Sequence, residues 1–185
     1  MVDAWWFWML LAVMVFWAVG AYQRLVGLRT TAIRQFAILE ELMLRYQGLV
    51  QTATTAAVIS PSGWHTAVPP ELGASHWTRL QVAANLSAMA LARMQEHPLD
   101  PTSSIALVAT SRDLQDAWGA LTHPDVYYVS VPDELTQRWA ELSISIQPDV
   151  QRFNQAVQNY NEAIALFPAN LLAQAFKYKP GRKLE

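Results

Sequence analysis

Cysteine is absent from the 185 residues. Disulfides, thiolate metal sites and cysteine nucleophiles are excluded with it, although no compartment is thereby selected. Glycine is scarce, at 7 residues, and none of it forms a phosphate-cradling loop or a G-x-S-x-G nucleophile elbow. Charge is scarce too: 15% of residues, with 13 Lys+Arg against 15 Asp+Glu. A formal net charge of −2 leaves no basic excess to track a phosphate backbone, so no nucleic-acid partner is expected. Hydrophobic residues are plentiful, at 52%, enough to bury a core and too many for a disordered chain. Of the 8 tryptophans, Trp5, Trp6, Trp8 and Trp17 crowd the first seventeen positions.

From Ala4 to Ala21 the chain reads AWWFWMLLAVMVFWAVGA, without a charged or amide side chain. A run of about 18 apolar residues reaches the lower length for crossing a bilayer as a helix. A core helix would keep a polar stripe, and this segment has none. Trp5, Trp6 and Trp8 at one end and Trp17 and Tyr22 at the other are spaced to form two interfacial belts, roughly 26 Å apart at their extremes. A cleaved signal peptide is the competing reading, with Ala18-Val19-Gly20 as its small residues. Such peptides begin with positive charge, whereas here Asp3 is the only charged side chain before the run. We expect a single-pass anchor. Arg24, Arg29 and Arg34 all follow it and no basic residue precedes it, which predicts a cytoplasmic C-terminal domain.

Beyond the anchor, Leu25, Leu28, Ala32, Leu39, Leu42, Tyr46, Leu49, Ala53 and Ala56 follow alternating steps of three and four, as in a coiled coil. The rhythm fails only at Gln35, where Phe36 stands beside it. No proline occurs before Pro61, so one helix is expected from the membrane to about Ile59. Ser60 to Ser75 reads as a connection. A second helix is expected over Ser75–Glu96, with Trp77, Leu80, Ala84, Leu91 and Met94 on one face. A third is expected over Thr102–Leu121, capped by Ser103 or Ser104, with Ile105, Val108, Leu114, Trp118 and Leu121 facing inward. VYYVSV (126–131) is the one strand-like run and, lacking a partner, is expected to be an extended link. A last helix is expected from Asp133 to about Phe167 along Val150, Phe153, Val157, Tyr160, Ile164 and Phe167, with Pro148 as a kink or a fresh start. The fold class that results is all-α. An N-terminal transmembrane helix (1–21) continues into an elongated antiparallel bundle of about four helices (22–168), followed by a basic amphipathic tail (169–185).

Tyr22-Gln-Arg-Leu-Val-Gly-Leu-Arg29 resembles the opening Y-N-x-L-V-x-L-R of the LemA family of bacterial membrane-anchored proteins, with Gln23 in place of the usual Asn. Tyr160-Asn161-Glu-Ala-Ile164 is similar to that family's Y-N-x-x-I. Phe167-Pro168-Ala-Asn170-Leu171, with Phe176, Pro180 and Glu185, is similar to its closing motif. Arg45 to Thr52 lacks the proline that the family carries in its first helix, and Ala67 to Pro132 has no counterpart. The resemblance implies a membrane helix, a long-helix bundle and no established enzymatic activity.

Chemistry finds little to use. His65, His76, His97 and His123 do not stand at the helical spacing of a metal site, so no metal or other cofactor is expected. Asp113 and Asp116 share a helix face but read as solvated residues beside Leu114 and Trp118. Asp133 and Glu134 suit a helix start. Asn85-Leu86-Ser87 matches a glycosylation sequon inside a helix. No catalytic residue emerges, and a non-enzymatic membrane scaffold or adaptor is expected, binding a protein partner or the membrane surface. The alternative is an accessory subunit of a separate membrane enzyme such as a protease. A small-ligand site in the bundle core is a third reading, and homo-oligomer formation is compatible with all three. Asn154, Asn159, Asn161 and Asn170 are candidate recognition groups, with capping and surface roles as the alternative. Lys177, Lys179, Arg182 and Lys183, interleaved with Leu171, Leu172, Phe176 and Tyr178, are expected to dock on the membrane surface.

Overall fold

The computed structural model describes residues 2–59, 70–123, 131–167 and 169–184, with side chains from residue 5 to 56 and from residue 74 onward. Among them are five helices and no strand: α1 (Val2–Ile59), α2 (Pro70–Glu96), α3 (Pro101–Leu121), α4 (Asp133–Ala165) and α5 (Ala169–Ala175). The link at 124–130 lies outside the described residues. Val131, at its end, packs against the main core.

Helix α1 is unbroken for 58 residues because nothing in it removes a backbone donor. Its threonines return their hydroxyls to the preceding turn, as where Thr30 donates to the Val26 carbonyl at 2.8 Å and Thr52 to that of Gly48 at 2.9 Å. Leu25, Ala32, Leu39, Tyr46 and Ala53, each seven residues on, are all buried, and Phe36 is buried where Gln35 breaks the rhythm. The expected register is therefore the observed one.

Helix α4 packs antiparallel along α1. Phe36 meets Phe153 with ring centroids 6.0 Å apart, and Tyr46 meets the edge of Trp139 at 4.6 Å. Pro148 lies inside α4 without ending it. Its missing N–H would have served Ile144, which is exposed, so water can take that carbonyl.

Helices α2 and α3 form a tight hairpin laid on the half of α1 away from its apolar beginning. Asp100, not Ser103 or Ser104, is the N-cap of α3, its carboxylate accepting from the Ser103 N–H at 3.2 Å with Pro101 in the first turn. The Thr102 hydroxyl also donates to this carboxylate and, with Ser103, holds the group below the ordinary aspartate range against the opposing effect of burial. Ser103 and Ser104 are fully buried instead. Their small side chains let the hairpin close, with Ser104 Oγ 3.7 Å from Met94 Sδ.

Helix α2 does not return to the apolar beginning of α1. Gln95, one residue before its end, donates to Glu40 Oε1 at 2.7 Å, about 27 Å along α1 from Tyr22. The bundle is thus four helices thick only beyond Phe36. There α3 meets α4 through Trp118 stacked on Trp139, centroids 4.3 Å apart and planes within 8°. Burial raises the Tyr46 phenol above its ordinary pKa, opposed by its hydrogen bond to Ser143 Oγ at 2.9 Å. Toward the apolar beginning of α1 a smaller core forms from Leu25, Tyr160, Ala163 and Ala173, and Leu99 at the hairpin turn touches both cores.

Candidate functional site

Two features stand out: the way the last residues are held, and the apolar end that faces the beginning of α1. Helix α5 ends with Lys177 in the left-handed region, φ 55°. Tyr178 N–H donates to the Ala173 carbonyl at 2.8 Å and Lys177 N–H to that of Gln174 at 3.2 Å. This is a Schellman ending with lysine where glycine is usual, and it sends the chain back along α4, away from the apolar beginning of α1.

The returning segment is clasped by asparagines. Asn161 donates through Nδ2 to the Gly181 carbonyl and accepts through Oδ1 from the Gly181 N–H, both at 2.8 Å. Asn154 repeats the pair on Leu184, at 2.9 and 2.7 Å. Seven residues of helix advance about 10.5 Å, and three residues of extended chain advance roughly 10 Å. The two clasps therefore register with each other. Between them Lys183 Nζ donates to Gln158 at 3.0 Å, and just before them the Tyr160 hydroxyl donates to the Lys179 carbonyl at 3.1 Å. Leu184 is buried in the main core. At Gly181 an added Cβ would stand 3.2 Å from Val157 Cγ1 and 3.3 Å from Leu99 Cδ2, so only glycine permits the approach without displacement.

The family-motif residues share this architecture. Leu25 and Tyr160 are buried against each other's helices. Arg29 lies over the Tyr178 ring at 5.7 Å; its charge partly offsets the burial that raises the Tyr160 pKa. Tyr22 meets Phe176 at 5.2 Å and Trp17 meets Phe167 at 5.9 Å. Asn170 Oδ1 is buried without a hydrogen-bond partner, and Pro168 lies outside the described residues. Asn159 accepts from Gln155 on the same helix at 2.9 Å. Of the four asparagines, two thus recognise the chain's own tail.

Trp5, Trp6 and Trp8 are exposed together with nearly every side chain from 5 to 20. Among the described residues α1 alone holds a window long and apolar enough to cross a membrane, and none of that window is buried in the fold. The basic residues divide by position. Lys177 closely follows α5, the Lys179 carbonyl meets the Tyr160 hydroxyl, and Lys183 reaches the level of Gln158, about 13 Å farther along α4 than Phe167.

No group of three or more metal-ligating side chains occurs among the described residues; His65 lies outside them. Asp113 and Asp116 are exposed. A cleft of about 240 Å³ between α3 and α4 has Tyr46, Leu114, Trp139 and Leu184 in its walls and Arg112 as its one charged lining residue among those described. Among the described residues, the only polar side chains buried in the core are Ser87, Ser103 and Ser104, too little for an internal polar stripe. Sequence reasoning missed Gly181 and Leu184; the seven-residue spacing of Asn154 and Asn161 was the available signal.

The class these features define is a helical bundle carried on one long helix with an apolar, solvent-exposed beginning. Residues 123–185 match the sequence model of the LemA family. That range holds the clasp, α5 and the Tyr160 and Phe167 motifs, while the Tyr22–Arg29 motif lies outside it. The LemA family is not a known enzyme family. No curated protein and no solved structure matches the chain.

Proposed function

We propose that this chain is a non-enzymatic, membrane-anchored scaffold that holds a helical bundle upright on a bacterial inner membrane and presents it to a protein partner. The observation that carries this is α1 itself. One helix supplies both the exposed apolar segment and the seven-residue core stripe against which α4 packs, so the bundle stands stiffly on its anchor. Of the four basic residues in the tail, Lys177 and Lys179 come first after α5 and add attraction to an anionic leaflet; Arg182 and Lys183 lie farther along and contribute less, given a screening length of about 8 Å.

For the partner, the outer face of α2 is the surface of choice. Val82, Leu86 and Met89 form an exposed apolar stripe at helical spacing, with Met89 70% exposed. Such a stripe suits an amphipathic helix of another protein. A photocrosslinking residue at Met89, activated in intact membranes, is expected to give one discrete adduct that Leu86→Glu abolishes, while the same group at Glu162 gives none. An adduct of twice the chain mass would assign this face to self-association and overturn its role in holding a partner, as would no adduct at all.

A further inference from the structure

We infer that the α4–α5 corner is a second membrane contact, dipping into the same leaflet as the anchor, and that a phospholipid seats between it and α1 with its phosphodiester on Arg24. The inference rests on the anchor reading above and adds a site to it. Leu166, Phe167, Leu171 and Phe176 are exposed by 61%, 73%, 57% and 53%, although all four are large and apolar. They do not scatter over the bundle: Phe167 lies against Trp17 and Phe176 against Tyr22. Their surface is continuous with the anchor, and with Trp17 at the interface the corner reaches about 6 Å below the level of Ala21. That depth is the one at which an apolar face rests on the acyl boundary.

Between the corner and α1 lies an open cavity of about 470 Å³. Phe16, Trp17, Leu25, Leu166 and Phe167 make its walls apolar, and Arg24 is the one charged side chain among its described lining residues. No hydrogen bond or ion pair engages Arg24 within the described residues. An added Cβ at Gly20, on the cavity's α1 side, would meet nothing within 4 Å. A long apolar trough with a single cation at its mouth, at the level where the helix leaves the hydrocarbon, has the polarity of a phospholipid: acyl chain along Gly20 and Phe16, phosphate at the guanidinium.

The absence of cysteine makes the test clean, because single cysteines at exposed positions take a spin label without competition. In full-length protein reconstituted in phosphatidylglycerol-containing bilayers, labels at Phe167→Cys and Leu171→Cys are expected to be accessible to oxygen over an aqueous nickel complex. Val13→Cys in the anchor should behave likewise, and Ile144→Cys on the bundle should show the aqueous pattern. Aqueous behaviour at 167 and 171 with lipid behaviour at 13 would overturn the second contact and leave the anchor standing. Aqueous behaviour at 13 would remove the anchor and the inference together. For the lipid itself, native mass spectrometry of the full chain titrated with phosphatidylglycerol should show one retained lipid. Arg24→Gln is expected to weaken it about fivefold, Gly20→Leu to exclude it, and Arg34→Gln to leave it unchanged. Equal retention in all four proteins, or none in the parent, would overturn the site.

Discussion

Replacing Asn161 by aspartate keeps the shape of the tail clasp and reverses half of its polarity. A carboxylate can still accept from the Gly181 N–H, but it cannot donate to the Gly181 carbonyl, 2.8 Å away, and sets an anionic oxygen against it. The loss is one part-buried hydrogen bond plus an acceptor left facing a like charge, together about 1–3 kcal/mol on the opening of the tail. The clasped segment opens as one unit, so the loss is felt at Leu184, bonded to Asn154, as well as at Gly181, and is confined to the tail. Amide exchange at Gly181 and Leu184 should accelerate roughly 5- to 150-fold, while the amides of Phe153 and Val157 keep their protection. The pH dependence has a defined sign. Below the aspartate pKa the protonated acid regains a donor, so the acceleration relative to the parent should shrink as pH falls and grow as it rises. Unchanged exchange at Gly181 and Leu184 would refute the clasp. Equal acceleration throughout α4 would show that the tail does not open as a separate unit.

Leu39, fully buried in the α1 register, should cost about 2–5 kcal/mol as Leu39→Ala in denaturant unfolding, and a loss below about 0.5 kcal/mol would mean the face is misassigned. The Asp100 cap should stabilise the α2–α3 hairpin at neutral pH and lose that contribution as pH falls through its lowered pKa, because a depressed carboxyl favours the folded state only while ionised. Asp100→Asn should flatten this acid limb in thermal melts; an identical limb would refute the assignment. For topology, Ile144→Cys, 75% exposed, should resist an impermeant thiol reagent in intact cells and react after lysis; reaction before lysis would place the bundle outside.

Much of this architecture is legible in the sequence, for identifiable reasons. A helix that buries one stripe repeats its apolar residues at a fixed period, so the spacing of Leu25, Ala32, Leu39, Tyr46 and Ala53 is enough to define the α1 face. Phe153, Val157 and Tyr160 do the same for α4. The pattern misleads where close approach matters more than apolarity. Ile105 is 48% exposed whereas Ser103 and Ser104 are buried, because the hairpin turn needs small side chains and their hydroxyls find local partners. It misleads again at Phe167, which continues the α4 rhythm past the end of the helix and is exposed beside Trp17. The tail has no period at all. An extended segment held by two asparagines leaves only a pair of Asn seven residues apart and one glycine, and neither announces what it holds.

A scaffold of this kind depends on its first twenty-odd residues crossing a bilayer, and alkaline carbonate extraction of cell membranes tests that most directly. The full chain is expected to stay with the sedimented bilayer. Leu11→Arg combined with Val15→Arg, both on the exposed apolar segment and each costing about 2.5–3.5 kcal/mol at the centre of a spanning helix, should move it to the supernatant. A parent chain that washes off with carbonate, or a doubly charged variant that sediments as the parent does, would contradict the anchor.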